Sequence, residues 1–290
     1  MSMPAISVVV PHYNDLQGLD RCLGALGSQT LPRERFEVIV SDNISPVGRE
    51  AVEAVIAGRA RLVIATERGA GPARNAGAAV ARGDILAFTD SDCVPASEWL
   101  AAGESALADV DLVGGAMTVS VEPGRALSGA EAFERVFAFD NRDYVERKGF
   151  TVTANLFCRR ATFAAVGPFK VGVSEDLEWC LRARAKGYRI GYAAGALVSH
   201  PARPDWPALL GKWRRLNAES YALTIEQPGG RRRWWLRSLA LPGSILLHAP
   251  RVLRSASLTT PGERSRALAT LARLRLWRFV DAQRLLIQGK

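Results

Sequence analysis

Ile85-Leu86-Ala87-Phe88-Thr89-Asp90-Ser91-Asp92 is the stretch on which the fold turns. Its first four residues are apolar without a break, as in a strand buried on both faces of a parallel sheet. Its end sets two carboxylates one residue apart where that strand runs out. Side chains i and i+2 of a strand project to the same side. An extended backbone carried through Asp92 would therefore aim Asp90 and Asp92 into one crevice beyond the sheet's carboxyl edge. Open α/β sheets bind ligands at that edge, and two hard oxygen donors there suit Mn²⁺ or Mg²⁺ with a phosphorylated substrate. A polar turn after a strand gives the same letters, so the surrounding chain has to decide.

Upstream, strand-like and helix-like runs alternate. Ile6 to Val10 is continuously apolar and ends at Pro11. Asp15 can cap a helix whose Leu16, Leu19, Leu23 and Leu26 share one stripe. Phe36 to Val40 and Arg61 to Ala65 read as two more strands. Ser45-Pro46 predicts a helix start with Gly58 near its end, and Gly71 to Arg82 predicts a helix of small residues. Such alternation implies α/β architecture with a doubly wound, mostly parallel sheet. Downstream the spacing predicts a helix over 96–107, a strand pair over 112–121 and a helix over 129–141. A strand over 151–158, a helix over 175–186 and a strand over 196–200 follow.

The 290 residues suffice for one large α/β domain and an appendage, and 48% apolar against 23% charged content excludes wholesale disorder. Cys22, Cys93, Cys158 and Cys180 form no Cys-x-x-Cys pair, which argues against structural zinc or a disulfide framework. Met1-Ser-Met-Pro leads directly into the first strand, with no secretory signal expected. The net charge of +9 is lopsided: residues 206–290 hold 16 Lys and Arg against 4 Asp and Glu. A catalytic domain over 1–205 and a basic helical region over 206–290 are the expected division.

Polar groups gather at the strand ends. Pro11-His12-Tyr13-Asn14-Asp15 follows the first strand and Asp42 the second. Gly69-Ala-Gly-Pro-Ala-Arg74-Asn75 follows the third and opens a helix. Its glycines permit close backbone approach, a helix N-terminus favours anions, and Arg74 offers a planar fork for a phosphate or base. The loop lacks the third glycine of a dinucleotide fingerprint. Taken singly, each of these residues is also an ordinary turn residue or cap.

As an ordered set, these motifs resemble family 2 glycosyltransferases of the GT-A fold. The matching segments are Val8-Val-Val-Pro-His-Tyr-Asn14, Phe36-Glu-Val-Ile-Val-Ser-Asp42, Gly71-Pro-Ala-Arg-Asn-Ala-Gly77 and Ile85 to Asp92. They continue with Ala154-Asn-Leu-Phe-Cys-Arg-Arg160, Val166-Gly-Pro-Phe169, Ser174-Glu-Asp-Leu-Glu-Trp-Cys-Leu-Arg182 and Val198-Ser-His200. The resemblance implies that Pro11, Tyr13 and Asp42 hold the base and ribose of a nucleotide-sugar donor, UDP-linked. It sets Arg74, Asp90 and Ser91 along the same donor, and Asp92 on a metal bridging the diphosphate. Asp176 matches the general base, and His200 a further metal ligand found in some members. Glu175, Asn155 and Trp179 are the acceptor candidates. The resemblance implies an inverting transfer to a hydroxyl of a glycan or lipid-linked acceptor.

The chemistry of the residues agrees with such roles. Glycosyl transfer needs a leaving diphosphate neutralised and an acceptor hydroxyl deprotonated as it attacks. Blander readings stay open for some positions. Glu175-Asp176 also complements a helix dipole, a tryptophan on a helix also serves a core, and His200 also suits a structural strand end. Lys170 stands where the family usually has an acidic residue or glycine. A sugar nucleotidyltransferase would want a glycine-rich basic loop after the first strand, which Pro11-His-Tyr-Asn is not. A dehalogenase-type phosphatase would carry its Asp-x-Asp after the first strand, not the fourth. A non-catalytic nucleotide-sugar or carbohydrate-binding protein would be expected to lose Asp92 or Asp176.

The basic region reads as helical from Asp205-Trp-Pro207 onward, with Thr260-Pro-Gly-Glu263 as a capping box for the last helix. The apolar run 238–250 is too short, and too broken by Pro242 and Gly243, to span a bilayer. Trp234 and Trp235 beside Arg231-Arg-Arg233 suit an anionic headgroup interface. The expected location is cytoplasmic, peripheral on the inner face of the cytoplasmic membrane. A packed helical subdomain with a solvated basic face is the alternative. No nucleic-acid recognition module accompanies the charge.

Overall fold

The computed structural model describes residues 4–289. Met1 to Met3 and Lys290, which enter the readings of the leader and the tail, lie outside them. The first half alternates as β1 (Ile6–His12), α1 (Leu16–Gly27), β2 (Phe36–Asp42), α2 (Arg49–Ile56), β3 (Arg61–Ile64), α3 (Ala70–Ala79) and β4 (Ile85–Phe88). There follow β5 (Val94–Pro95), α4 (Trp99–Ala106), β6 (Leu112–Ser120), α5 (Gly129–Phe137) and the single turn α6 (Asn141–Asp143). Next come β7 (Leu156–Arg159), α7 (Arg160–Val166), α8 (Glu175–Ala185), β8 (Ile190–Pro201), α9 (Trp206–Ile225), α10 (Gly230–Leu253) and α11 (Pro261–Gln288).

The strands form one sheet in the order β3-β2-β1-β4-β7-β6-β8-β5. β1 pairs in parallel with β2 from Ile6↔Phe36 to His12↔Asp42, and with β4 from Ile6↔Ile85 to Val9↔Phe88. The carboxyl ends of β1, β2 and β4 therefore share one edge, which is what collects their polar ends. β4 then pairs antiparallel with β7, as do β7 with β6 and β5 with β8. The turn after β4 is thus brought beside the end of β8, where Val94 faces Ser199.

Every residue of β1, β2 and β4 is buried, because helices cover both faces of the sheet. Val8, Val10 and Val40 join Leu19, Leu23 and Leu26 of α1 on one side. Val9, Leu86 and Phe88 join Phe169, Trp179 and Cys180 on the other. Each such aliphatic side chain contributes about 1.5–3 kcal/mol on burial. Gly77 lets α3 lie directly on β1, since a Cβ there would sit 2.5 Å from Val9 Cγ1.

Several boundaries differ from the sequence expectations. α2 begins at Arg49 rather than at Ser45-Pro46, because Ser45 is drawn away to bond Asp42. Leu112–Ser120 forms the single strand β6 where a strand pair over 112–121 is expected. The expected strand 151–158 is a short 3₁₀ turn followed by β7. Asp15 caps α1 as predicted, accepting from Gly18 N, and Asp205 caps α9. The four cysteines are free and buried.

The chain divides into two units. One holds the sheet. The other comprises 119–139, 172–174 and 201–290, so α5 joins α9, α10 and α11 rather than falling with residues 1–205. The reason is hydrophobic: Leu127, Phe133 and Val136 pack in one cluster with Leu209, Val252, Leu271 and Leu274. Glu134, buried among them, accepts from Lys212 Nζ at 2.7 Å and from the Arg203 amide. Thr260 and Glu263 form the predicted capping box of α11. α10 continues through Pro242 and Pro250; the prolines interrupt the apolar run but not the helix, which packing against its neighbours keeps whole. No helix of the described residues is long and apolar enough to cross a membrane.

Candidate active site

The strand β4 stops at Phe88, so alternation does not carry through to Asp92. A turn replaces it: the Cys93 amide donates to Asp90 O at 3.0 Å. Asp90 and Asp92 consequently meet different partners. Asp90 Oδ1 accepts from Arg74 Nη2 at 2.5 Å, while Asp92 Oδ2 stands 3.4 Å from His200 Nε2. Ser91, in the same turn, is buried.

Arg74 spans two carboxylates. Its Nη1 donates to Glu175 Oε1 at 2.8 Å while Nη2 holds Asp90. Burial alone would lower the guanidinium pKa, but the two neighbouring carboxylates outweigh it and raise it. Arg74, expected to lie against the nucleotide, is 3% exposed and bridges two carboxylates as a clamp. It ties the turn after β4 to the first turn of α8. Glu175, an acceptor candidate, is the other jaw of that clamp.

Asp176 follows immediately, its Oδ1 accepting from the Leu177 amide at 2.7 Å in the first turn of α8. A helix N-terminus stabilises negative charge. Asn75 reinforces the approach from the opposite side. It donates to Phe169 O and accepts from the Phe169 amide, both at 2.9 Å, pinning the segment that precedes α8 to α3. Lys170 pairs with Glu178 at 2.9 Å and is thereby turned along α8.

Asp42, at the end of β2, is almost fully buried. Its Oδ1 meets His12 Nδ1 at 2.7 Å and the Ser45 hydroxyl, and its Oδ2 accepts from the Ser45 amide at 2.9 Å. Burial pushes its carboxyl pKa up, but the Ser45 bonds and His12 prevail and hold it below the ordinary value of 3.8. His12 and Ser45 were not among the predicted site residues. Their signal lay in Pro11-His-Tyr-Asn and in Ser45 standing three residues after Asp42. Pro11 is buried beside this cluster in sequence, whereas Tyr13 is 53% exposed and free to stack on a planar group.

Two candidates belong to the core instead. Asn155 is fully buried, donating to Ala116 O and Ala196 O and accepting from Trp99 Nε1. Trp179 is fully buried against Phe163 and Phe169, its indole donating to Gly167 O. Neither can present a face to an acceptor sugar.

A cation would find its donors at Asp92 and His200. One ligand atom from each lies within 4.8 Å of the other and of Cys93 Sγ. The carboxylate suits Mn²⁺ or Mg²⁺ with phosphate oxygens completing the shell, while the imidazole favours the softer Mn²⁺ over Mg²⁺. The Cys93 thiol fits less well: burial and the two nearby aspartates push its pKa well up, so it stays protonated.

The sheet, parallel from β3 to β4 and antiparallel beyond, has the architecture of GT-A-type glycosyltransferases. The mannosyltransferase PcManGT from Pyrobaculum calidifontis, solved with GDP-Man and Mn²⁺, shares this fold at TM-score 0.61 and 22% identity, over 100% of this chain and 89% of that one. Staphylococcus aureus TarS 1–349 with UDP-GlcNAc shares it at TM-score 0.55 and 17% identity, over 98% and 92%. Residues 7–167 match the family described as Glycosyl transferase family 2, and the chain belongs to that family. It is 34% identical over 224 residues to glycosyltransferase AglE of Haloferax volcanii, covering 73% of this chain and 72% of the relative. It is 30% identical over 216 residues to the pre-mycofactocin glycosyltransferase of Mycobacterium tuberculosis, covering 70% of this chain but 44% of that longer protein. The chain is a glycosyltransferase.

Proposed function

We propose that this enzyme moves a sugar from a UDP-linked donor to a hydroxyl of a glycan or lipid-linked acceptor, inverting the anomeric carbon. The observation that carries this reading is the convergence of Asp92 with His200, and of Arg74 with Asp90 and Glu175, beside Asp176. In this scheme the exposed ring of Tyr13 and the Asp42 cluster receive the base and ribose. Arg74 orients Asp90 toward the ribose and, through Glu175, fixes the first turn of α8. Asp92 and His200 would hold a divalent ion, which when bound would neutralise charge at the diphosphate. Asp176 accepts the acceptor hydroxyl's proton as the oxygen bonds to C1 and the C1–diphosphate bond breaks. A single base facing the departing group makes the displacement direct, hence inverting.

The basic composition of residues 206–290 supports work at an anionic surface, the inner face of the cytoplasmic membrane. The folds shared with a GDP-Man-bound and a UDP-GlcNAc-bound protein make the nucleotide a matter for direct assay. A panel of UDP- and GDP-sugars, read by Mn²⁺-dependent nucleotide release, tests the reaction. Turnover with a UDP-sugar and its loss in Asp92→Asn are expected. Release from no donor, or undiminished release in Asp92→Asn, overturns the assignment.

A further inference from the structure

The α-helical unit holds an open cavity of about 590 Å³. Its wall includes Arg135 of α5, Phe139, Arg251 at the end of α10, and Arg254, Ser255 and Ser257 in the loop that follows. Three arginines line it, and no carboxylate among the described residues does. Arg135 is oriented by donating to Ser257 O at 3.1 Å, and Arg251 is seated over the Phe137 ring at 5.4 Å. Glu263, which bears electrostatically on Arg135, is bound into the cap of α11 through Thr259 and Thr260. Planar guanidinium forks with nearby hydroxyls are the donor set for a phosphate group.

What surrounds the cavity narrows the kind of phosphate. Trp235, Leu239, Leu246 and Leu253 recur along α10 at intervals of four and seven, which places them on one stripe of the helix. They are 47%, 45%, 81% and 55% exposed, and Leu247 beside them is 77% exposed. The cavity flanks the C-terminal end of this stripe: Pro250 lies one turn beyond Leu246, whereas Arg251 is turned away from the stripe onto the Phe137 ring. An apolar stripe ending in an arginine cluster complements a molecule with a hydrocarbon body and an anionic head. It also matches the helix type that lies in a membrane interface.

We propose that this cavity is a headgroup site for an anionic phospholipid of the bilayer, its phosphate held by Arg135, Arg251 and Arg254 while the outward stripe of α10 rests among the acyl chains. The inference rests on the membrane-surface reading above and sharpens it from general attraction to one site.

Vesicle co-sedimentation of the full chain tests it, with phosphatidylcholine alone and with phosphatidylcholine containing phosphatidic acid. Three double variants are compared: Arg251→Ala with Arg254→Ala, Leu246→Glu with Leu247→Glu, and Arg231→Ala with Arg232→Ala. The third removes the same charge elsewhere on α10. It is expected to weaken binding about fivefold per charge, the scale of a basic residue near an anionic surface. The cavity pair is expected to lose at least about tenfold more than that control, and the leucine pair to lose binding comparably. Soluble dihexanoyl phosphatidic acid should raise the melting temperature of the unaltered chain and not of the cavity pair. Unchanged circular dichroism and donor turnover establish that the variants fold. Equal losses in the two arginine pairs overturn the site and leave the membrane reading standing. No binding of the unaltered chain to anionic vesicles overturns both. Stabilisation by inorganic phosphate equal to that by the lipid overturns the headgroup assignment.

Discussion

His200 Nε2 lies 3.4 Å from Asp92 Oδ2, with the imidazole buried and the carboxylate side chain 34% exposed. The histidine backs the carboxylate while the carboxylate faces outward. If the pair holds the cation, His200→Ala should weaken Mn²⁺ binding by at least the roughly 10- to 100-fold typical of losing even an outer-shell partner of a metal ligand. Titration of Mn²⁺ by electron paramagnetic resonance reads this without turnover. Equal affinity in the variant would remove His200 from the site.

Arg74 is buried between two carboxylates that themselves reach solvent. Arg74→Met should cost about 2–4 kcal/mol, just under the range for breaking a fully buried pair. Arg74→Lys should recover only part, since a point charge cannot bridge two partners as a planar fork does. Thermal unfolding measures both, and a lysine variant as stable as the parent would refute the clamp.

Asp176→Asn keeps the size of the side chain and removes its basicity. Turnover should fall about 10²- to 10⁴-fold while affinity for the nucleotide product is kept. Calorimetric nucleotide binding beside steady-state rates separates the two effects. Loss of binding with rate constants intact would make Asp176 a donor contact instead of the base.

The Asp42 carboxyl is held below 3.8 in the folded state by Ser45 and His12 against the opposing effect of burial. A depressed carboxyl contributes stability that is complete above its unfolded value and is lost as pH falls through the folded one. Below about pH 4 that contribution should therefore fade. Ser45→Ala should cost about 1.5–3 kcal/mol at neutral pH, the scale of a hydrogen bond to a charged group, and move acid unfolding to higher pH. Superimposable acid-unfolding curves for variant and parent would contradict this.

Gly77→Ala drives a methyl to 2.5 Å from Val9 Cγ1. Overpacking of this kind costs about 1–3 kcal/mol, here by lifting α3 off β1 and with it Arg74. Reduced melting temperature together with weakened donor binding is expected. A variant that loses neither would show that α3 can shift without disturbing the clamp.

Local rules carried much of the fold into view. Unbroken apolar runs marked β1, β2 and β4, leucine spacing marked α1, and the Thr260 to Glu263 box marked α11, because burial and capping act over a few residues. The same rules misplaced the start of α2, where Ser45 bonds Asp42 instead of capping a helix.

The order of residues determined which side chains reach the carboxyl edge of the sheet, since parallel pairing puts the ends of β1, β2 and β4 there. It could not say which of them touch. Asp90 goes to Arg74 and Asp92 to His200 because a turn after Phe88 splits them and antiparallel β8 returns beside it. Trp179 and Asn155 carry polar atoms in family motifs, yet the sheet and its helices enclose both. Contact between residues distant in the chain depends on how the layers close, and no local spacing encodes that.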